Sequence, residues 1–106
     1  MMSYDEASHT LTVLPQGELD HCVAESMRNT VDASVIQNGA KMIVFDMSDV
    51  AFMDSSGIGM LIGRYKFMKK RGGKVRVRGM NPQVERIFKM SGLHQIIANE
   101  ERTEKK

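Results

Sequence analysis

Asp54-Ser55-Ser56-Gly57 carries the clearest chemical signal in the chain, because it directly follows the apolar run Val50–Met53. The order predicts a strand, a turn, and a helix that opens at Gly57-Ile58-Gly59. A serine hydroxyl at that turn lies among unpaired N–H groups, at the positive end of the helix dipole. Such a place suits a phosphate, and serine can be phosphorylated. A plain helix N-cap is the commoner role for an isolated motif of this kind.

The longer segment Phe52–Lys66 resembles the STAS domain of bacterial anti-sigma factor antagonists, in particular the sporulation type that acts on sigma factor F. Gly17-Glu18-Leu19-Asp20 is similar to the family's loop before its first helix, and Val44–Met47 to its central strand. Arg86–Leu93 is similar to its third helix and the cap that ends it. The resemblance spans residues 3–98 in order.

The resemblance implies a regulatory protein and not an enzyme. In that family the unphosphorylated antagonist binds an anti-sigma factor that is itself a serine kinase, and the sigma factor is released. The kinase phosphorylates the first serine after the aspartate, which corresponds to Ser55, and a separate serine phosphatase restores it. A non-switching STAS scaffold subunit of a stress-signalling complex is the alternative.

The expected site gathers acidic side chains, a hydroxyl and small residues where strand ends meet helix starts. Its partner-binding residues are predicted to be Glu18, Asp20, Asp54, Ser55, Gly57 and Gly59. Ser56 is expected to be structural, with its hydroxyl in the helix cap. Gly59 and Gly63 lie four apart on one helix face, where two glycines indicate close approach. Tight packing inside the domain and a flat patch for a partner both explain them.

A catalytic interpretation would use Ser55 as nucleophile, with His21 and Asp20 as partners. The nucleophile-elbow motif needs glycine two residues before the serine, and Met53 occupies that position. A histidine next to its own aspartate in sequence is also poorly placed for a triad. We therefore expect no catalytic residues.

The elements that hold the site alternate along the chain. Strands are predicted at Thr10–Leu14, paired with Met2–Glu6, and at Met42–Phe45, Lys74–Arg78 and Gln95–Ala98. Helices are predicted from Asp20 to Asn38, from Gly57 to Lys70, and after Asn81-Pro82. The fold class is α/β, a single STAS domain with a mixed four- to five-stranded sheet and helices packed against it.

Length and composition fit one small domain, residues 1–98, followed by a polar tail over 99–106. The tail is expected to fray where family members usually continue into a full final helix. No apolar run approaches a membrane span and no secretory signal opens the chain, so we expect a cytoplasmic protein. We expect it to be a monomer when free, with no membrane partner.

Cys22 is the only cysteine, and it has no metal-ligand spacing with His9, His21 or His94. No metal or cofactor is therefore expected, and Cys22 is interpreted as a part-buried apolar residue without a reactive role. Seven cations cluster between residues 66 and 78. They are Lys66, Lys69, Lys70, Arg71, Lys74, Arg76 and Arg78. A solvated face is preferred to direct nucleic-acid binding, because no aromatic residues are interleaved.

Overall fold

The computed structural model describes residues 1–100, which form seven strands and three α-helices. The strands are β1 (Met2–Asp5), β2 (Thr10–Val13), β3 (Gly17–Leu19), β4 (Met42–Asp46), β5 (Val50–Met53), β6 (Lys74–Arg78) and β7 (Ala98–Glu100). The helices are α1 (His21–Asn38), α2 (Ser55–Lys70) and α3 (Pro82–Met90).

The main sheet has the strand order β1-β2-β4-β6-β7. β1 pairs antiparallel with β2 through a short hairpin, and the other pairs are parallel. The predicted mixed sheet is confirmed. β4 lies at its centre and is buried on both faces, which explains its continuous apolar sequence.

A separate two-stranded sheet joins β3 and β5 in parallel, with Leu19 opposite Met53. Sequence patterns predict β5 but describe residues 17–20 as a loop. The pairing depends on backbone contacts between distant segments, such as the 2.9 Å hydrogen bond from Gly17 N–H to the Asp49 carbonyl. Three residues are too few to show the alternation that marks a strand.

The predicted helix ends are mostly confirmed. Asp20 caps α1 and Gly39 ends it in the left-handed conformation, with φ of 70°. Asn81 caps α3, where its side chain accepts from Val84 N–H at 2.8 Å. The Asn81 amide also donates to the Val50 carbonyl at 3.1 Å, which ties the start of α3 to β5.

The predicted last strand at residues 95–98 is wrong in position. A 3₁₀ turn covers Leu93–Gln95, and its Leu93 carbonyl accepts from Ile97 N–H at 2.8 Å. Leu93 and Ile97 are both buried, so their four-residue spacing serves a helical turn and not a strand. Asn99 and Glu100, assigned to the tail from the sequence, belong to β7. The remainder of the predicted tail, residues 101–106, lies outside the described residues.

Candidate functional site

Two aspartates stand side by side at the ends of the small sheet. Asp20 follows β3 and Asp54 follows β5, directly after the paired residues Leu19 and Met53. Each aspartate is the N-cap of the next helix. Asp20 Oδ1 accepts from Val23 N–H at 3.1 Å, and Asp54 Oδ1 accepts from Ser56 N–H at 2.8 Å. The parallel pairing therefore brings the two motifs predicted from the sequence to one edge.

Ser55 is the first residue of α2 and is exposed. Helix α2 begins two residues earlier than the sequence suggests, because Asp54 and not a serine provides the cap. The Asp54 carbonyl already accepts from Gly57 N–H at 3.0 Å. The expectation that the Ser56 hydroxyl serves as a cap is wrong, since Ser56 contributes its N–H and Asp54 the accepting oxygen. The Ser55 hydroxyl is thus displayed at the positive end of a helix of 16 residues.

The two predicted site glycines have different environments. Gly57 is buried, and a Cβ there would lie 3.0 Å from Met53 Sδ and 3.2 Å from Leu19 Cδ2. Its lack of a side chain lets α2 sit against the ends of β3 and β5, which is an internal role. Gly59 is exposed, and a Cβ there, like one at Gly63, would meet no atom within 4 Å. Packing within residues 1–100 therefore does not explain Gly59 or Gly63.

A groove of about 240 Å³ separates the first turns of α1 and α2 beside Ser55. Its walls are formed by His21, Ala24, Glu25, Arg28, Ser56, Gly59 and Met60. The sequence indicates His21 only as a possible base. Its Nε2 instead lies 3.7 Å from Glu25 Oε1, and both side chains are mostly exposed. This contact lies on the surface of α1 and gives the catalytic interpretation no support.

The other side of the Ser55 turn carries an exposed aromatic ring that the sequence did not single out. Phe52 lies opposite Glu18 in the small sheet and is 48% exposed, although a phenylalanine in a strand usually faces a core. It borders a cleft of about 250 Å³ with Gln83, Arg86 and Ile87 of α3. Glu18 is also exposed. The surface around Ser55 thus combines acidic, apolar and cationic groups.

A buried ion pair connects α2 to α1 behind the site. Arg64 is 5% exposed, and its Nε lies 2.8 Å from Asp32 Oδ1. Burial raises the pKa of the Asp32 carboxyl above its usual value, against the opposing effect of Arg64. Burial likewise lowers the pKa of Arg64, and Asp32 opposes that shift. Arg64 shares the inner face of α2 with Leu61 and Met68, so helical spacing could have revealed it.

Cys22 is a free thiol on the surface of α1, so its interpretation as a part-buried residue is wrong. It is the second residue of α1 and follows His21, whose side chain is also exposed. Within residues 1–100, no group of three or more His, Cys, Asp or Glu side chains is placed to hold a metal ion. No helix in the same range is both long enough and apolar enough to cross a membrane.

Comparison with known proteins places this arrangement in a family. A model of the STAS domain matches residues 2–106. The "Anti-sigma F factor antagonist" of Paenibacillus polymyxa is 39% identical over 87 residues, which cover 82% of this chain and 74% of that protein.

Two of the solved structures that share the fold are those of SpoIIAA. The anti-sigma factor antagonist SpoIIAA in its unphosphorylated form superposes with a TM-score of 0.82 at 27% identity, covering 98% of this chain and 90% of that one. The phosphorylated form of the Bacillus cell fate determinant SpoIIAA gives 0.73 at 26% identity, covering 98% and 93%. On its sequence, its fold and the placement of the Asp54–Ser55 turn, this chain belongs to the STAS domain family.

Proposed function

We propose that this chain is an anti-sigma factor antagonist controlled by phosphorylation of Ser55. Its unphosphorylated form binds an anti-sigma factor that is a serine kinase, and the bound sigma factor is released. The kinase transfers a phosphoryl group from ATP to the Ser55 hydroxyl, and a serine phosphatase removes it. The chain is the substrate and ligand of these enzymes and carries no catalytic residue of its own.

The observation that carries the proposal is the exposed Ser55 at the first position of α2, directly after the capping Asp54 and near the second capping aspartate, Asp20. A kinase must reach the hydroxyl with its ATP phosphate in line, which exposure permits. The resemblance to proteins named as antagonists, including one solved with and without its phosphate, supports the same function.

The partner surface would extend from Ser55 over Glu18, Asp20, Asp54 and Gly59. Asp20 and Asp54 each commit one oxygen to a helix cap, so their charges are held in fixed positions. A partner that carries cationic or N–H groups at matching positions gains specificity and association rate from them. Gly57 contributes indirectly, because its close packing against Met53 holds the start of α2, and with it Ser55, against the end of β5.

The direct test is incubation with a candidate anti-sigma kinase and ATP, followed by mapping of the phosphate by mass spectrometry. We expect the phosphate on Ser55 in the wild type, no incorporation in Ser55→Ala, and normal incorporation in Ser56→Ala. Ser55→Ala should still bind the kinase and release the sigma factor. A phosphate on Ser56 would overturn the site assignment. Stable multimers of the chain with no kinase binding would favour the scaffold alternative.

A further inference from the structure

The end of the molecule opposite Ser55 carries a group of exposed cations that the proposed function does not use. We call it the basic pole and define it as Lys41, Lys66, Lys69, Lys70, Arg71 and Lys74. Two further cations of the sequence cluster are separate, because Arg76 and Arg78 lie 3.3 and 3.4 Å from carboxylate oxygens of Glu100 and Asp46. Among residues 1–100, no carboxylate lies within ion-pair distance of any of the six.

Backbone hydrogen bonds join three segments at this pole: the end of α2, the start of β6 and the residue before β4. Lys74 N–H donates to the Lys41 carbonyl at 3.0 Å, and Gly73 N–H donates to the Met68 carbonyl at 2.7 Å. A Cβ at Gly73 would lie 2.8 Å from the Lys41 carbonyl oxygen, so the glycine permits this close approach. The cations at the end of α2 and the starts of β4 and β6 are therefore fixed as one surface.

An apolar groove of about 380 Å³ opens within the basic pole, between α2 and the edge of the sheet. Tyr65, Val75, Ile96 and Ala98 line it, together with Lys69, Lys74 and Arg76. Strand β7 begins opposite Arg76, so Lys74 and Val75 extend past the start of β7. Ile96 is 46% exposed at this opening. The groove thus offers apolar contact area surrounded by positive charge.

The charge distribution indicates what fits there. Six of the fifteen Lys and Arg residues lie at the basic pole, so the rest of the chain carries nine cations against thirteen acids. On the β1–β2 hairpin, Asp5 is three strands from Lys74 in the sheet register. At about 4.8 Å per strand, that separation is about 14 Å, beyond a Debye length in physiological salt. The six cations of the pole therefore have no ion-pair partner among residues 1–100, which leaves their charges available to a partner.

We propose that the basic pole is a second docking surface, which binds an acidic protein segment that also carries apolar side chains. Carboxylates would pair with the cations, and apolar side chains would enter the groove at Ile96 and Val75. A single-stranded nucleic acid fits less well, because its bases stack on free aromatic faces. Here Lys69 Nζ and the Arg71 guanidinium already cover the Tyr65 and Phe67 rings, at 5.7 and 5.6 Å from their centroids.

The basic pole is independent of the proposed function. Lys69 lies fourteen positions after Ser55 in α2. At 1.5 Å per residue Ser55 and Lys69 are about 21 Å apart along the helix, so the basic pole does not overlap the proposed partner surface.

The test uses the whole chain and three probes at 50 mM salt. One is a twelve-residue peptide of Glu and Leu, the second has Gln in place of Glu, and the third is a twelve-nucleotide thymidine oligomer. Amide chemical shifts in NMR spectra report where each probe binds. We expect the Glu peptide to shift residues 69–75 and 96–98, with binding weakened at least tenfold at 500 mM salt. The Gln peptide should bind at least tenfold more weakly.

A matched pair of variants distinguishes binding at the basic pole from a non-specific effect of the protein's net charge. Lys69→Glu/Lys74→Glu should lower affinity for the Glu peptide at least tenfold. Arg86→Glu/Lys89→Glu, which makes the same charge change on α3, should alter it less than twofold. Equal losses in both variants, shifts confined to other residues, tighter binding of the oligonucleotide, or no binding of the Glu peptide at millimolar concentration would each overturn the proposal.

Discussion

At the residue scale, the Asp54 side chain has two functions that mutation can separate. Its carboxylate caps α2, and its charge lies beside the hydroxyl proposed for phosphorylation. We expect Asp54→Ala to lower the free energy of unfolding by about 0.5–2 kcal/mol through loss of the cap. Asp54→Asn should keep most of that stability, because an amide oxygen also caps, but should weaken kinase binding.

Urea unfolding and kinase titration of the two Asp54 variants measure these effects. Asp20→Asn makes the same change at the cap of α1 and tests the second carboxylate of the proposed partner surface. If Asp54→Asn binds the kinase as tightly as the wild type, the charge of Asp54 plays no part in recognition.

The two glycines at the start of α2 should respond in opposite ways to alanine. Gly59→Ala should stabilise the fold by about 0.5–1 kcal/mol, because the helix gains propensity and the new methyl meets nothing. Gly57→Ala should destabilise it by about 1–3 kcal/mol, since the methyl overlaps the buried Met53 side chain. Thermal unfolding compares the two directly.

If Gly59 belongs to the partner surface, Gly59→Ala should also weaken kinase binding while the fold gains stability. A stabilised variant with unchanged affinity would remove Gly59 from the proposed site.

At the scale of elements, the Arg64–Asp32 pair fixes α2 relative to α1. Asp32→Ala should destabilise the fold by about 3 kcal/mol, because it leaves the Arg64 charge buried without a partner. The double variant Asp32→Ala/Arg64→Met should be more stable than Asp32→Ala alone, since it removes the unpaired charge. A double-mutant cycle by chemical denaturation measures the coupling. Simple additivity would show that the pair does not connect the helices energetically.

The contact of Asp46 in β4 with Arg78 in β6 predicts that the stability of the fold depends on pH. Asp46 is partly buried, which raises its pKa, but hydrogen bonds from Ser48 and the nearby Arg78 outweigh burial and leave the pKa below its usual value. Its contribution is therefore present above the unfolded pKa of about 3.9 and is lost as pH falls through the lower folded value.

The melting temperatures of the wild type and Asp46→Asn should accordingly differ most from pH 5 to 7 and converge below pH 4. A difference that stays constant down to pH 3 would contradict this assignment.

Most elements could be predicted because their signals are local. The caps Asp20 and Asn81, the stop at Gly39 and the apolar run of β4 each lie within a few residues of the element they define. The small sheet could not be predicted in this way, because β3 is three residues long and is set by its pairing with β5.

For the site, the motif predicts the neighbourhood of Asp20 and Asp54 but not which group caps α2. The exposure of Phe52 was also not predicted, because it depends on the neighbouring strand and helix. The burial of Arg64 follows from its helical spacing with Leu61 and Met68, but its pairing with Asp32 depends on α1 and was not predicted.

At the scale of the whole molecule, phosphorylation of Ser55 should change binding without changing the fold. The phosphate adds about −1.5 to −2 charges. At a helix N-terminus the interaction of this negative charge with the helix dipole stabilises the fold by about 0.3–1 kcal/mol. Repulsion from the nearby Asp54 carboxylate opposes that stabilisation. A partner that fits a neutral hydroxyl beside the Asp54 carboxylate must instead accommodate like charges, which costs on the order of several kcal/mol.

Affinity for the kinase should therefore fall by two or more decades, at about 1.4 kcal/mol per decade. Circular dichroism and melting of the two forms should be nearly identical. Loss of helical signal on phosphorylation would mean that the switch is conformational and not electrostatic.

The β3–β5 pairing also has a consequence for the order of folding. Gly17 meets Val50, and Leu19 meets Met53, across an intervening chain that contains both α1 and β4. Contacts between such distant segments carry the entropy of closing a long loop and form late. Until β3 pairs with β5, Asp20 is not held next to Asp54 and Ser55. A kinase that recognises both would therefore ignore nascent or partly unfolded chains and modify only completed ones.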